Sequence, residues 1–293
     1  DGQTVGVADS GLDVGTTGSA MSDDFEGRIA HAEATCQYFT GGRTTWNDFD
    51  GHGTHVAGSV LGNGVNSGST PSTHDYSNSF AGVAPEAQLV FQAVDNSPGG
   101  GLECIPIDLD TYLFGVAYGE GARIHTNSWG GPTGGTSGSP EYGGYDDSSL
   151  AADESAWNRK DLLLLFAAGN SGTDANSDGF VDADSMGSPG TAKNVLTVGA
   201  TENLRESTTT ATWGGGWPDD FPANPIFSDH MADNQSGMAA FSSRGPTDDG
   251  RIKPEVAAPG TFIISTRSHD PNAGTGWGVY DEDYLYMGGT SMA

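Results

Sequence analysis

The sequence predicts an α/β protein: a doubly wound, mostly parallel sheet flanked by helices, with long acidic surface insertions. Three observations lead there. Short apolar runs, too continuous for half-exposed strands, recur along the chain, as strands covered on both faces require. Segments with helical spacing lie between them, which implies strand–helix–strand winding. The remaining stretches are polar and glycine-rich, with 46 glycines in 293 residues. They read as excursions from one domain spanning residues 1–293, not as linkers.

Taken in order, Thr4–Ala8 is the first expected strand, ending just before Asp9. His52–Leu61 is a helix candidate opened by glycine, and Leu89–Val94 is the next strand. Leu109–Tyr118 places Leu109, Leu113, Val116 and Ala117 at helical spacing, with Gly119 and Gly121 as stop signals. Ile124–Thr126, Leu162–Phe166 and Val195–Val198 complete the strands. The excursions are Asn63–Asn78, Gly130–Ser149, Ser171–Gly187 and Arg205–Gly237, and no internal repeat links them.

Charge narrows the function. Asp and Glu total 39 against 11 Lys and Arg, a net of −28. Such a surface repels phosphate and argues against a nucleic-acid partner. It suits solubility, cation binding or strong salt, where screening relieves self-repulsion. No apolar run is long enough for a membrane-spanning helix. Cys36 and Cys104 allow one disulfide or two thiols, and both stay open because Cα separation is not written in the sequence.

Ligands of an open parallel sheet bind beyond the carboxyl ends of its strands. Asp9-Ser10-Gly11 follows the first strand, so the Asp9 carboxylate sits at such an end, where a turn-forming Asp would also sit. In Asp50-Gly51-His52-Gly53-Thr54-His55-Val56-Ala57-Gly58, one histidine opens a helix. Gly53 lets another backbone approach, and Ala57 and Gly58 permit tight packing. His52 and His55 are three apart with no Glu after the first, which fits no zinc motif. The run Leu162 to Ala168 ends in small residues, Gly169 and the Asn170 amide. Gly289-Thr290-Ser291 sets a hydroxyl on a sharp turn. Each feature alone is ordinary. Together they supply an orienter, a base, an oxyanion donor and a nucleophile for acyl transfer. An esterase of the α/β-hydrolase type fails on order, because there the nucleophile comes before its acid and base, in G-x-S-x-G.

These segments resemble the subtilisin-like serine proteases. So do Asn127-Ser128-Trp129-Gly130, Phe241-Ser242-Ser243-Arg244-Gly245-Pro246 and Lys253-Pro254-Glu255-Val256-Ala257-Ala258-Pro259-Gly260, in the same order. Within the family the chain looks most like the large alkaline bacterial members with an extra C-terminal β domain. The resemblance implies a secreted endopeptidase acting on polypeptides, with Ser291 as nucleophile, His52 as base and Asp9 as orienter. It implies an oxyanion hole from the Asn170 side chain and the Ser291 N–H. It implies that Gly99-Gly100-Gly101 and Ser128-Trp129-Gly130 hold an extended peptide between them, and that Ala167, Ala168 and Gly169 wall a roomy, mainly apolar pocket. It also implies a propeptide before Asp1 and further sequence after Ala293, so that the peptidase domain is expected to be incomplete at its C-terminus. The contrasting reading is a catalytically inactive, calcium-stabilised surface or binding module on the same fold, against which the intact Asp9, His52, Asn170 and Ser291 argue.

Two acidic stretches suggest cations. Asp174, Asn176, Asp178, Asp182 and Asp184 are spaced around Gly179 much as oxygen ligands are in calcium loops, although Ser185 stands where such a loop ends in Glu. Ca²⁺ is expected there as a structural ion, with no cofactor for catalysis. Asn47-Asp48-Phe49-Asp50-Gly51 reads chiefly as a turn, with a second cation beside His52 as the alternative. Finally, the negative field and Asp9 both favour imidazolium, so His52 is expected to titrate above its usual pKa of about 6.5.

Overall fold

Along the chain run β1 (Thr4–Asp9), β2 (Ile29–Ala34), α1 (His52–Leu61), β3 (Gln88–Ala93), α2 (Gly115–Gly119), β4 (Ile124–Asn127), α3 (Asp147–Asn158) and β5 (Leu163–Ala167). There follow β6 (Leu196–Thr201), α4 (Trp213–Gly216), β7 (Val256–Pro259), β8 (Ile263–Thr266), β9 (Gly278–Val279) and β10 (Tyr284–Met287). The structure is a computed structural model that describes residues 2–39, 41–99, 101–131 and 141–293. The chain divides into two units. One holds Asp1–Asn127, Glu154–Leu164 and Ile264–Met287; the other holds Ser128–Asp153, Leu165–Ile263 and Gly288–Ala293.

In the first unit the strands lie in the order β2-β3-β1-β4. All are parallel, with Val5 opposite both Leu89 and Ile124. Val7, Ala8, Leu89, Val90 and Phe91 are fully buried, as strands covered on both faces must be. The chain winds from β1 to one side and then returns to place β4 on the other. The carboxyl end of β1, where Asp9 stands, is therefore the switch point at which such sheets bind ligands. Helix α1 packs beside β1 with Val56, Ala57 and Leu61 inward. Strands β8, β10 and β9 form a small separate sheet.

In the second unit β5, β6 and β7 are parallel neighbours. Lys253 ties β7 to β6: its buried ammonium meets Glu255 at 2.7 Å and Thr197 Oγ1 at 3.0 Å, while the Thr197 N–H donates to Glu255 at 2.8 Å. A buried ammonium needs such partners to offset its lost hydration. Among the described residues no helix is long and apolar enough to cross a membrane.

Four elements differ from expectation. The helix expected over Leu109–Tyr118 opens as a π-type turn, Asp110–Phe114, before α2. Gly115 donates its N–H to the Asp110 carbonyl, and a Cβ there would stand 2.4 Å from that oxygen, so glycine admits the wider turn. Strand β2 and helix α3 were both unexpected. The His and Glu of β2 blur its pattern, and α3 starts inside a polar stretch. The Arg205–Gly237 excursion is a folded lobe, not a bare loop. Trp213, fully buried, packs against Trp217, Phe221 and Phe241 and donates its indole N–H to Glu202 at 3.1 Å. Burial drives the Glu202 carboxyl up to about 7, against the hydrogen bonds from Trp213 and Asn234 that favour its charge, while nearby Asp229 adds to the rise.

The cysteine alternatives resolve in favour of a disulfide. Cys36 and Cys104 are bonded with Cα atoms 5.0 Å apart. The bridge closes a loop of 68 residues in sequence, for which chain entropy contributes about 4 kcal/mol. Cys36→Ser should therefore lower unfolding free energy by about that amount in a denaturant titration under oxidising conditions. An unchanged midpoint and slope would show that the bond is not formed in solution.

Candidate active site

In the first unit, Asp9 at the end of β1 is 1% exposed. Its Oδ1 meets His52 Nδ1 at 2.7 Å and accepts the Ser10 N–H at 2.7 Å. A carboxylate accepts only, so Nδ1 carries a proton. In the neutral ring Nε2 is then the bare nitrogen, the tautomer a general base requires. His52 is the first residue of α1, so its backbone is fixed by the helix while its ring, 30% exposed, stays reachable. The helix comes close to the segment that follows β1 because its second residue is glycine: a Cβ at Gly53 would stand 2.3 Å from the Gly11 carbonyl oxygen. Burial pulls the His52 pKa down. Asp9, by charge and hydrogen bond, with Asp48 and Asp50 behind it, outweighs that and holds the ring at about 9.

In the second unit, Ser291 lies on the turn closed by Met292 N–H to Gly289 O at 3.1 Å. Gly289 has φ of 155°, outside the range L side chains adopt readily. The Ser291 hydroxyl donates to the Ser128 carbonyl at 3.2 Å, and the Ser128 hydroxyl returns a bond to the Ser291 carbonyl at 2.9 Å. Asn170 follows β5. Its Oδ1 accepts the Thr290 N–H at 2.9 Å and the Thr290 hydroxyl at 3.0 Å. A backbone N–H can only donate, so this contact fixes the amide orientation and leaves Nδ2 as the donor offered to a ligand.

A pocket of about 220 Å³ gathers Ser128, Trp129, Gly130, Ala167, Ala168, Gly169, Asn170 and Ser291. It departs from the roomy, mainly apolar pocket expected. Ser171 and Thr290, the chain neighbours of Asn170 and Ser291, also line it, and so do Ser185 and Ser243 from segments that sequence order does not place there, so hydroxyl groups ring a small cavity. Trp129, 7% exposed, stands edge-on to Phe166 and contributes structure more than open surface. Gly99 and Gly101 belong to the first unit, exposed and both with φ of 73°. Gly100 lies outside the described residues.

The acidic loop does not present a ready cation cage. Asp174, fully buried, accepts the N–H groups of Asp178 and Gly179, each at 2.9 Å. Asn176 accepts from the Asp178 N–H and donates to Asp182, Asp182 accepts the Ala175 N–H, and Asp178 accepts the Phe180 N–H. Asp184 stands apart in left-handed backbone with φ of 64°. Among the described residues no three His, Cys, Asp or Glu side chains gather together. The regular spacing here makes side-chain caps for successive turns. The Asn47–Gly51 stretch is likewise a turn, with Asp48 fully buried and hydrogen-bonded to it.

The description of the Subtilase family, Peptidase_S8, matches residues 1–293. The chain is 30% identical over 320 residues to the serine protease AprX of Bacillus subtilis, covering all of this chain and 54% of that protein. It is 34% identical to pyrolysin of Pyrococcus furiosus, over 84% of this chain and 17% of that protein. To the serine protease/ABC transporter B family protein tagD of Dictyostelium discoideum it is 29% identical, over the whole chain and 18% of that protein. The chain thus spans from under a fifth to about half of these relatives. The Clostridium perfringens CspB protease shares the fold with a TM-score of 0.58 at 16% identity, covering 100% of this chain and 81% of that one. The PatG macrocyclase in complex with peptide does so with a TM-score of 0.52 at 17% identity, covering 99% and 72%. With its parallel sheets and flanking helices, the chain belongs to the subtilase family, whose homologues are serine proteases that hydrolyse peptide bonds.

Proposed function

We propose that this chain is the peptidase domain of a secreted serine endopeptidase working through an acyl-enzyme at Ser291. The observation that carries it is the Asp9–His52 pair, 2.7 Å long, which fixes the tautomer of a general base at the switch point of the sheet. His52 Nε2 takes the Ser291 proton as Oγ attacks the scissile carbonyl. Asp9 stabilises the imidazolium that forms. Asn170 Nδ2 and the Ser291 N–H hold the oxyanion. His52 then protonates the leaving amine, and water, activated by the same ring, releases the acyl group. The substrate peptide lies between Gly99–Gly101 and Ser128–Gly130, with one side chain in the hydroxyl-rich pocket. That pocket suits small or polar side chains over large apolar ones. A propeptide before Asp1 and polypeptide substrates complete the proposal.

In the full-length protein, a fluorophosphonate probe should label the wild type, and Ser291→Ala and His52→Ala should abolish labelling and peptide hydrolysis. No labelling of a folded wild type would favour the inactive binding module. Asn170→Ala should keep labelling measurable but cost about 10²–10³ in kcat, the loss known for one such donor in a subtilisin.

The pH dependence follows from His52. Its base form appears only above a pKa of about 9, so kcat/KM should rise through that pH at low ionic strength. Added salt screens the field of the acidic surface and should move the limb toward neutrality. The same shift makes the ion pair stabilising below about pH 6.5, with that stability lost as pH climbs through about 9. A limb that stays put from low to high salt would count against surface charge as a cause.

For calcium, proposed from the spacing in the acidic loop, the self-capped side chains set the expectation. Chelator should leave the melting temperature unchanged, and Asp174→Ala should cost about 1–3 kcal/mol by stranding two N–H groups. A melting temperature that rises with added Ca²⁺, and does so only while Asp174 and Asp182 are present, would place the ion in this loop.

A further inference from the structure

Asp48 stands four residues before His52 and is fully buried. Its Oδ1 accepts from the Ser10 hydroxyl at 2.8 Å, the Gly51 N–H at 2.9 Å and the Asp50 N–H at 3.3 Å. Its Oδ2 accepts from the Thr54 N–H at 2.8 Å and the Thr54 hydroxyl at 2.5 Å. Gly51, the residue at the N-cap of α1, has no side chain to cap the helix, so Asp48 does that work from outside. The Ser10 hydroxyl in turn accepts the Gly53 N–H at 2.9 Å, and the Thr54 hydroxyl accepts the Asp13 N–H at 2.8 Å. One carboxylate therefore holds both the residue after Asp9 and the first turn of the helix that begins with His52.

We propose that Asp48 is a positioning residue for the His52 imidazole, a role that rests on the endopeptidase reading above. It does not touch substrate. It sets the spacing between the end of β1 and the N-terminus of α1, and so the Asp9–His52 hydrogen bond. It also adds a second negative charge behind the ring, where Asp9 supplies the first. Burial pushes the Asp48 carboxyl up to about 6 against the hydrogen bonds from Thr54, Gly51 and Ser10, so it is ionised wherever His52 works as a base. The charged groups around the pair are Asp9 on β1, Asp50 on the same turn, and Arg43, which donates to the carbonyls of Ser10 and Asn47. Behind them stand Asp13, Asp95 and Asp270; Asp13 also binds His269.

The test uses the full-length protein with a peptide-anilide substrate across pH. In parallel, the His52 ring titration is followed by NMR in a Ser291→Ala background, where no turnover is needed. Asp48→Asn keeps the shape, removes the charge and turns an NH₂ toward N–H donors. It should lower kcat by about tenfold to a hundredfold while KM stays within about twofold. It should also move the His52 titration to lower pH. Ser10→Ala leaves the charge and cuts the link to β1; it should lower kcat by about several-fold, and it should lower the titration by less than Asp48→Asn does. Wild-type kcat and titration in Asp48→Asn, with only the melting temperature reduced, would overturn the proposal. Should Asp48→Asn fail to fold, Ser10→Ala decides alone: wild-type kcat or an unmoved titration there overturns it, and a reduced kcat with a lowered titration supports it. A wild type that no fluorophosphonate labels would sink the endopeptidase reading instead, while the NMR arm still judges Asp48.

Discussion

One close approach between two backbones governs the chemistry of the first unit. The helix that starts at His52 comes so near the end of β1 that Gly53 has no room for a Cβ against the Gly11 backbone. Only at that distance can an imidazole on a helix reach a carboxylate on a strand at 2.7 Å. A side chain at Gly53 would push the helix off the end of the strand and lengthen the one hydrogen bond that decides which ring nitrogen is bare, and one at Gly11 would collide with the Asn47–Asp48 backbone of the turn that leads into the helix. The approach is expensive in buried polar groups, since strand end and helix start both leave N–H groups without partners of their own. Asp48, Ser10 and Thr54 meet those groups, so the polar network around Asp9 both packs the junction and holds the start of the helix beside Asp9.

The second unit solves a different problem, that of holding a hydroxyl and an amide in fixed poses without rigid elements around them. Thr290 does this by binding Asn170 Oδ1 through both its N–H and its hydroxyl, while Ser128 and Ser291 exchange hydroxyl-to-carbonyl bonds. Four short polar side chains thus replace what a larger core would do. The Thr290 hydroxyl also accepts the Gly169 N–H at 3.1 Å, which ties the pocket wall to the turn that carries Ser291.

The large acid excess is spent partly on internal structure. In the loop after Asn170, and in the turn before His52, carboxylates point at backbone N–H groups and cap turns. Density of acids and regularity of spacing, with glycine and asparagine among them, thus serve Asx-type turns here. The lobe at Arg205–Gly237 shows a related economy: it builds a small aromatic core around Trp213 and presses on the acidic loop, where a Cβ at Gly179 would stand 2.0 Å from the Asn224 carbonyl oxygen.

What the residues alone could tell was whatever depends on local order. The apolar runs of β1, β3 and β5 declare buried strands, the glycines and small residues of His52–Leu61 declare a tightly packed helix with its ends in the right place, and Asp9, His52, Asn170 and Ser291 announce an acyl-transfer set by type and order. Strand β2 was hidden because its His and Glu break the apolar pattern, and the aromatic lobe because its tryptophan and phenylalanines are scattered among prolines and glycines. The tertiary structure decided the Cys36–Cys104 pairing, the ring of hydroxyls from Ser185 and Ser243 in the pocket, and the place of Asp48 as a buried hub. The reason is physical. Spacing along the chain reports which side chains share a face of one element, whereas a hydrogen bond or a pocket wall needs atoms from several elements within about 3 Å, and that distance exists only once the chain has closed on itself.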